Sequence, residues 1–297
     1  MDNKEIEKLK QAGKIAKEVV EYTKTIIKKD SPLLEIANKI ENKILSLNAK
    51  PAFPVNLSIN EVAAHSTPTY NDETKSYGLL KIDIGVHIDG YIADTALSID
   101  LENSEENKNL IKAAETARDS ALEKINLNSR IREIGAEIEK VCSKLNVQPI
   151  RNLSGHSINQ YILHSGITIP NFDNSQEIEI EEGVYAVEPF TTLLSGAGSV
   201  KDGKPSGIYH LENEGNVRDN FAREILKFIK EEYKTLPFCS RWIHKKFNTR
   251  GLLALRQIEQ AGLLHHYTQL IEKSGIKVAQ AEHTLILTKN EKIITTS

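Results

Sequence analysis

The chain has 297 residues, 39% hydrophobic and 27% charged, which is enough apolar content to build one large core or two smaller ones. A net charge of −3 supplies no global basic field for nucleic acid or an anionic membrane. No apolar run is long enough to span a bilayer, no secretory h-region opens the chain, and Cys142 and Cys239 lack metal-ligand spacing, so the expectation is a soluble cytoplasmic protein with no membrane partner and no direct nucleic-acid site.

Residues 3–28 carry Ile6, Leu9, Ile15, Val19 and Ile26 at helical spacing. Ser31-Pro32 predicts the cap and first turn of a second helix, with Leu33, Ile36, Ile40, Ile44 and Leu47 as its stripe. An irregular segment, PAFPVNLSINEVAAH, ends at His65. Then comes KIDIGVHIDGYIADT, Lys81 to Thr95, whose alternation is that of a strand pair turning at Asp89-Gly90. With that turn, Ile88 faces Tyr91 and Asp94 faces Gly85. Asp83 then shares a face with Asp94 as its diagonal neighbour, roughly 7–8 Å away at Cα. Two acids aimed at one spot from an apolar hairpin are costly to bury without a cation. The plainer reading is a pair of solvated acids on an edge hairpin.

The order then recurs. A helix from Ser104 and another from about Arg130 precede a second polar segment, QPIRNLSGHSINQYILHSG, and a strand region, GVYAVEPFTTLL. Asn56-Leu57-Ser58 and Asn152-Leu153-Ser154 repeat one word in the two polar segments. The shared order predicts an internal duplication. Residues 195–207 read as a loop and 219–273 as helical, so 195–275 is taken as a helical insertion. It interrupts a main domain made of 1–194 and 276–297. The basic run from Arg241 to Lys246 reads as a solvated mixed-charge face, and VAQAEHTLILTKNEKIITTS closes the chain as a strand pair.

The second half supplies His156 from SGHS, Glu188 from AVEPF and Glu282 from AQAEHT. Glu188 and Glu282 sit in apolar runs, where a strand glutamate needs a partner. Oxygen-rich donors with one imidazole suit a pair of hard or borderline divalent ions such as Mn, Co, Fe or Zn. Four carboxylates balance four positive charges.

These five residues, with KIDIGVHIDG, SGHSINQYILH, AVEPF and AEHT around them, resemble the dinuclear site of the methionine aminopeptidases, most closely the archaeal form of the type II branch. The resemblance spans nearly the whole chain. It implies the duplicated α/β (α+β) pita-bread fold: a curved antiparallel sheet flanked by helices, with a helical insertion. It implies removal of the N-terminal methionine of nascent polypeptides when the second residue is small. Asp94 and Glu282 would bridge two divalent ions, Asp83 would complete one, and His156 and Glu188 the other. Glu188 would shuttle protons. His65 and His164 would bind the peptide and its oxyanion, and Phe53, Leu153, Leu163 and Tyr267 would meet the methionine side chain. Ser66 departs from the pattern, where an aromatic residue is expected. A monomer is expected, and a ribosome contact stays open. The competing readings are an Xaa-Pro dipeptidase or creatinase-like hydrolase on the same fold, or a metal-free binding relative.

Overall fold

The computed structural model describes residues 1–297. Helices α1 (Asn3–Ile26) and α2 (Leu33–Ser46) are followed by short strands β1 (Lys50–Pro51), β2 (Asn56–Ile59) and β3 (Val62–Ala64), then by the hairpin β4 (Leu79–Ile88) and β5 (Tyr91–Asp100). A capping box between Asp2 and Glu5 starts α1. Its stripe of Leu9, Ala12, Ile15, Ala16 and Val19, with Leu33, Ile36, Ile40 and Ile44 of α2, is buried. Most of these side chains join Leu80, Ile82, Ile84 and Val86 of β4 in one apolar cluster. Each such side chain contributes about 1.5–3 kcal/mol when fully buried. Ser31 does not cap α2. Pro32 takes the cap position, and the first helical N–H, of Leu33, donates instead to the carbonyl of Thr74 at 2.9 Å. A neighbouring segment thus does the work of a capping side chain.

The hairpin has the register read from the sequence. Asp89 (φ 51°) and Gly90 (φ 85°) form the turn, Ile88 pairs with Tyr91, Gly85 with Asp94 and Asp83 with Ala96. The space over Gly85 is not empty. The Phe53 ring lies where a Cβ would stand, 2.3 Å from it, so glycine here admits an aromatic ring onto the strand.

The second half repeats the plan: α3 (Glu105–Lys124) and α4 (Ile131–Lys144), then β6 (Val147–Pro149), β7 (Ser154–Ile158), β8 (Thr168–Pro170), β9 (Gly183–Val187) and β10 (Phe190–Leu193). After the intervening segment come β14 (Val278–Gln280), β15 (His283–Leu287) and β16 (Lys292–Ile294), with β11 (Val200–Leu211), α5 (Asn220–Glu232), β12 (Phe238–Cys239), α6 (Ser240–Gln260) and β13 (Leu264–Glu272) between. β1 and β2 both pair with β4, just as β6 pairs with β10 and β7 with β9. Where β4 and β5 are continuous, their counterparts are each broken once, at Glu188-Pro189 and at Ala281-Glu282.

Two hydroxyls each bind both backbone groups of a residue across the join between the halves. Ser98 Oγ accepts from Gln280 N at 2.9 Å and donates to Gln280 O at 2.7 Å. Thr284 Oγ1 accepts from Asp94 N at 2.7 Å and donates to Asp94 O at 2.8 Å. Between them Glu282 N donates to Ala96 O at 3.0 Å. The pattern is two-fold about the Ala96–Glu282 bridge, since each half lends one side chain to the backbone of the other.

Residues 195–275 differ from expectation. Val200–Leu211 is a strand, and Leu264–Glu272 pairs with it rather than continuing a helix. The loop-like composition of Lys201 to Gly207 is tolerated because the register shifts around Pro205 and much of the strand is exposed. β13 also pairs with β3. Arg241, read as part of a solvated face, is buried. Its guanidinium donates to both oxygens of Glu41 at 2.6 and 2.9 Å, and Trp242 Nε1 donates to the same carboxylate at 2.8 Å. This bidentate pair ties α6 to α2.

Thr284→Val keeps the shape of the side chain and removes both bonds to Asp94. Urea unfolding of metal-stripped protein is expected to show a loss of about 1–3 kcal/mol for each buried backbone group left unpaired. Thr284→Ser is expected to retain most of the stability. A Val variant as stable as wild type would mean the hydroxyl splice is dispensable.

Candidate metal centre and pocket

Strand pleat and the splice between the halves bring the acids together. Asp94 and Glu282 are nearly inaccessible, at 3% and 1% exposure, and His156 is at 5%. Ligand atoms of Asp94, His156 and Glu282 lie within 4.8 Å of one another. The remaining two predicted donors flank this trio. Asp83 lies close enough to Asp94 for each carboxyl to shift the other, and Glu188 Oε1 lies 3.5 Å from His156 Nε2. Gly155 lets β7 approach β9 closely, since a Cβ there would stand 2.3 Å from the Ala186 carbonyl.

These residues lie in the wall of a cavity of about 380 Å³. Phe53, Leu153, Leu163 and Tyr267 all line it, as do His65 and His164. His65 has φ 56°, a left-handed backbone rare for a side chain of this size, and its ring stands edge-on to Tyr267 at 5.1 Å. His164 stands edge-on to His156 at 4.3 Å. Ser66 accepts from Gln269 Nε2 at 3.0 Å, which brings a polar contact to the position where an aromatic was expected.

Electrostatics mark this cluster as incomplete. No lysine or arginine lines the cavity. Burial pushes the Asp83 carboxyl up to about 7, against hydrogen bonds from Gln280 and Asp94. Burial, then neighbouring carboxylates, raises Asp94, Glu188 and Glu282 well above the ordinary range. Burial, then the His164 imidazole, lowers His156 to about 3 and His65 to about 4. His164 is lowered too, by desolvation of its ring and then by His210. Asp83 Oδ1, Asp94 Oδ1 and both Glu282 oxygens are buried with no hydrogen-bond partner, and His156 turns its Nε2 toward Asp94 and Glu188. Acceptors orphaned in this number around neutral imidazole fit divalent cations, which would satisfy them and offset the charge.

Three contributors escaped sequence reasoning. Gln280 Nε2 donates to Glu188 Oε2 at 3.4 Å. Its place two residues before Glu282 was the available signal, because alternate strand residues share a face. Asn56 lines the cavity opposite Asp83 in the β2–β4 register. Thr284 acts through the Asp94 backbone. Ile208, Pro237 and Leu270 bring the intervening segment into the cavity wall, a long-range contact that no local pattern encodes.

Residues 7–234 match the family model for metallopeptidase family M24. The chain is 47% identical to the methionine aminopeptidase of Pyrococcus abyssi, over 98% of this chain and 99% of that one. Among solved structures it resembles a thermophilic Arx1 with a TM-score of 0.85 at 17% identity, over 99% of this chain and 91% of that one. It resembles methionine aminopeptidase from Rickettsia prowazekii with a TM-score of 0.72 at 21% identity, over 100% and 98%. No helix is long and apolar enough to cross a membrane.

Protons and divalent ions compete for the acid cluster, and this sets a pH dependence. Unfolded histidine is half protonated at about pH 6.5 and loses that proton above it. The buried histidines with lowered values, His65 and His156 among them, therefore add an opposing trend that fades as pH rises, and the carboxylates dominate the titration. Their folded-state values are raised, so the folded chain binds more protons than the unfolded one and stability falls as pH rises. Scanning calorimetry of metal-stripped protein is expected to show Tm declining from pH 6.5 upward through the Asp83 value of about 7. Saturating Mn²⁺ or Co²⁺ is expected to flatten that decline. A metal-stripped Tm that rises across the window would contradict the cation fit.

Proposed function

The chain belongs to metallopeptidase family M24 and removes the N-terminal methionine of proteins, and on that premise we propose that Asp83, Asp94, His156, Glu188 and Glu282 hold two divalent ions, Mn, Fe, Co or Zn. Asp94 and Glu282 would serve both ions, Asp83 would complete the ligand set of one, and His156 with Glu188 that of the other. The observation that carries this reading is the set of orphaned carboxylate oxygens in Asp83, Asp94 and Glu282, gathered from both halves of the fold, with His156 Nε2 facing Asp94 and Glu188. The placement of Asp83 against Asp94, and of Glu188 against His156, supports this division of the ligands. Bound divalent ions supply Lewis-acid chemistry, acidifying water and polarising the scissile carbonyl.

The chain's own residues do the rest. Glu188 is oriented by the Gln280 amide and keeps partial access to the cavity, which suits it to take a proton from the attacking water and pass it to the leaving amine. His65 and His164, held neutral, each have a ring N–H to donate. Both line the cavity; His164 is assigned to the oxygen that gains charge in the tetrahedral state, and His65 to the peptide. Phe53, Leu153, Leu163 and Tyr267 form the apolar seat for the thioether, an unbranched and polarizable chain that fills such a wall with little strain. The free amino terminus meets the acid cluster, which restricts cleavage to chain ends. Ile208 and Pro237 bring the intervening segment into the cavity wall and are assigned to the second residue's side, where a small side chain fits best.

Steady-state kinetics on Met-Ala-Ser with metal-loaded His164→Ala are expected to show turnover reduced about 10²–10³-fold with little change in KM. A change in KM alone would move His164 to ground-state binding. A tripeptide panel read by mass spectrometry tests the whole reading. Met-Ala-Ser should be cleaved, Met-Lys-Ser poorly, and acetyl-Met-Ala-Ser not at all. Equal cleavage of Leu-Ala-Ser and Met-Ala-Ser, or release from the acetylated peptide, would overturn the pocket assignment.

A further inference from the structure

His210 and His265 face each other directly across the β11–β13 pair, with ring centroids 5.1 Å apart and planes tilted by 41°. Strand alternation places His210 on the face that carries Ile208, and His265 on the face that carries Tyr267. Ile208 and Tyr267 both line the cavity. The Tyr267 ring lies 5.3 Å from His210 and 4.8 Å from His265. The two imidazoles are therefore the next positions along these faces from the cavity-lining Ile208 and Tyr267, beside the ring that also contacts His65.

Nothing in the fold uses this pair. His266, the neighbour on the opposite face, is fully engaged by the Gly207 N–H at 3.1 Å and by Glu259 at 2.8 Å. His210, by contrast, has its Nδ1 shut from solvent with no hydrogen-bond partner. An aromatic packing pair needs no such orphan nitrogen, and a buried polar atom left without a partner is costly. Burial, then the adjacent His265, lowers His210 against the opposing pull of Glu212. The unprotonated ring is the form that binds metal.

We propose that His210 and His265 form a second metal site, separate from the acid cluster, which takes a single transition-metal ion of the Zn²⁺, Ni²⁺ or Cu²⁺ type through two imidazoles and so narrows the cavity mouth beside Tyr267. Imidazole donors favour these ions over Mg²⁺ or Ca²⁺. Two ligands held at fixed separation across a strand pair bind with little ordering cost. Glu212, two residues beyond His210, supplies a carboxylate close enough to influence that ring.

The test uses the metal-loaded, untagged protein with Ni²⁺ and Zn²⁺ as probes. Wild type is expected to be retained on immobilised Ni²⁺ at free-imidazole concentrations that release H265N and H210N. His265 is exposed, so H265N preserves the fold even where H210N does not. In parallel, free Zn²⁺ added beyond the loaded metal should inhibit Met-Ala-Ser cleavage. The half-inhibiting concentration should rise on the order of tenfold in H265N, with turnover before zinc addition unchanged. Retention of H265N equal to wild type would overturn the site. Lost retention with unaltered zinc inhibition would overturn the narrowing of the mouth. Retention on the column does not depend on catalysis, so this proposal and the peptidase assignment fail separately.

Discussion

Asp94 and Glu282 cannot move independently, because the segments that carry them are bonded to each other at the join between the halves. Thr284 binds the backbone of Asp94 through both its N–H and its carbonyl, and Glu282 N donates to Ala96. The Thr95 hydroxyl adds a bond to the Glu282 carbonyl at 3.0 Å. A relaxation that would relieve the repulsion of two buried carboxylates must therefore break bonds on both sides of the join. The acids are held together by backbone geometry, at a distance their charges oppose. Preorganisation of this kind spares the protein reorganisation when a cation or substrate arrives.

Such a cluster destabilises the chain that carries it, and the stability needed lies elsewhere. One apolar cluster packs α1 and α2 against β4, and another packs α3 and α4 against the strands of the second half. The Glu41–Arg241–Trp242 contact fixes the intervening segment against α2 and so holds Ile208 and Pro237 at the cavity. Duplication serves the site directly. Each half brings its own core and delivers acids to a shared edge. The breaks at Glu188-Pro189 and Ala281-Glu282 then free the second half's strands to turn their carboxylates toward the first half's hairpin.

Much of this was legible in the chain, and the division is physical. The hairpin register followed from Asp89-Gly90, because a two-residue turn leaves no freedom in pairing, and Asp83 and Asp94 came with it. The paired helices followed from their stripes. Glu188 and Glu282 stood out as acids in apolar runs, while their convergence with His156 rested on a family resemblance and not on any local pattern. What escaped depends on contacts between distant segments: the Thr284 and Ser98 hydroxyls, the Gln280 amide, and the Phe53 ring over Gly85. Residues 195–207 looked like a loop because the bulged and half-exposed strand that begins at Val200 accepts Gly, Pro and Lys. Arg241 looked solvated because its partner, Glu41, lies on α2, far away in sequence.

The central claim is that donors from both halves hold two ions between them, with Asp94 and Glu282 shared. Anomalous diffraction from crystals of the metal-loaded protein, collected at the absorption edge of the loaded metal, tests this most directly. Two peaks roughly 3.5–4 Å apart, each within bonding distance of both Asp94 and Glu282, are the expected result. A single peak, or two peaks that share neither carboxylate, would contradict it.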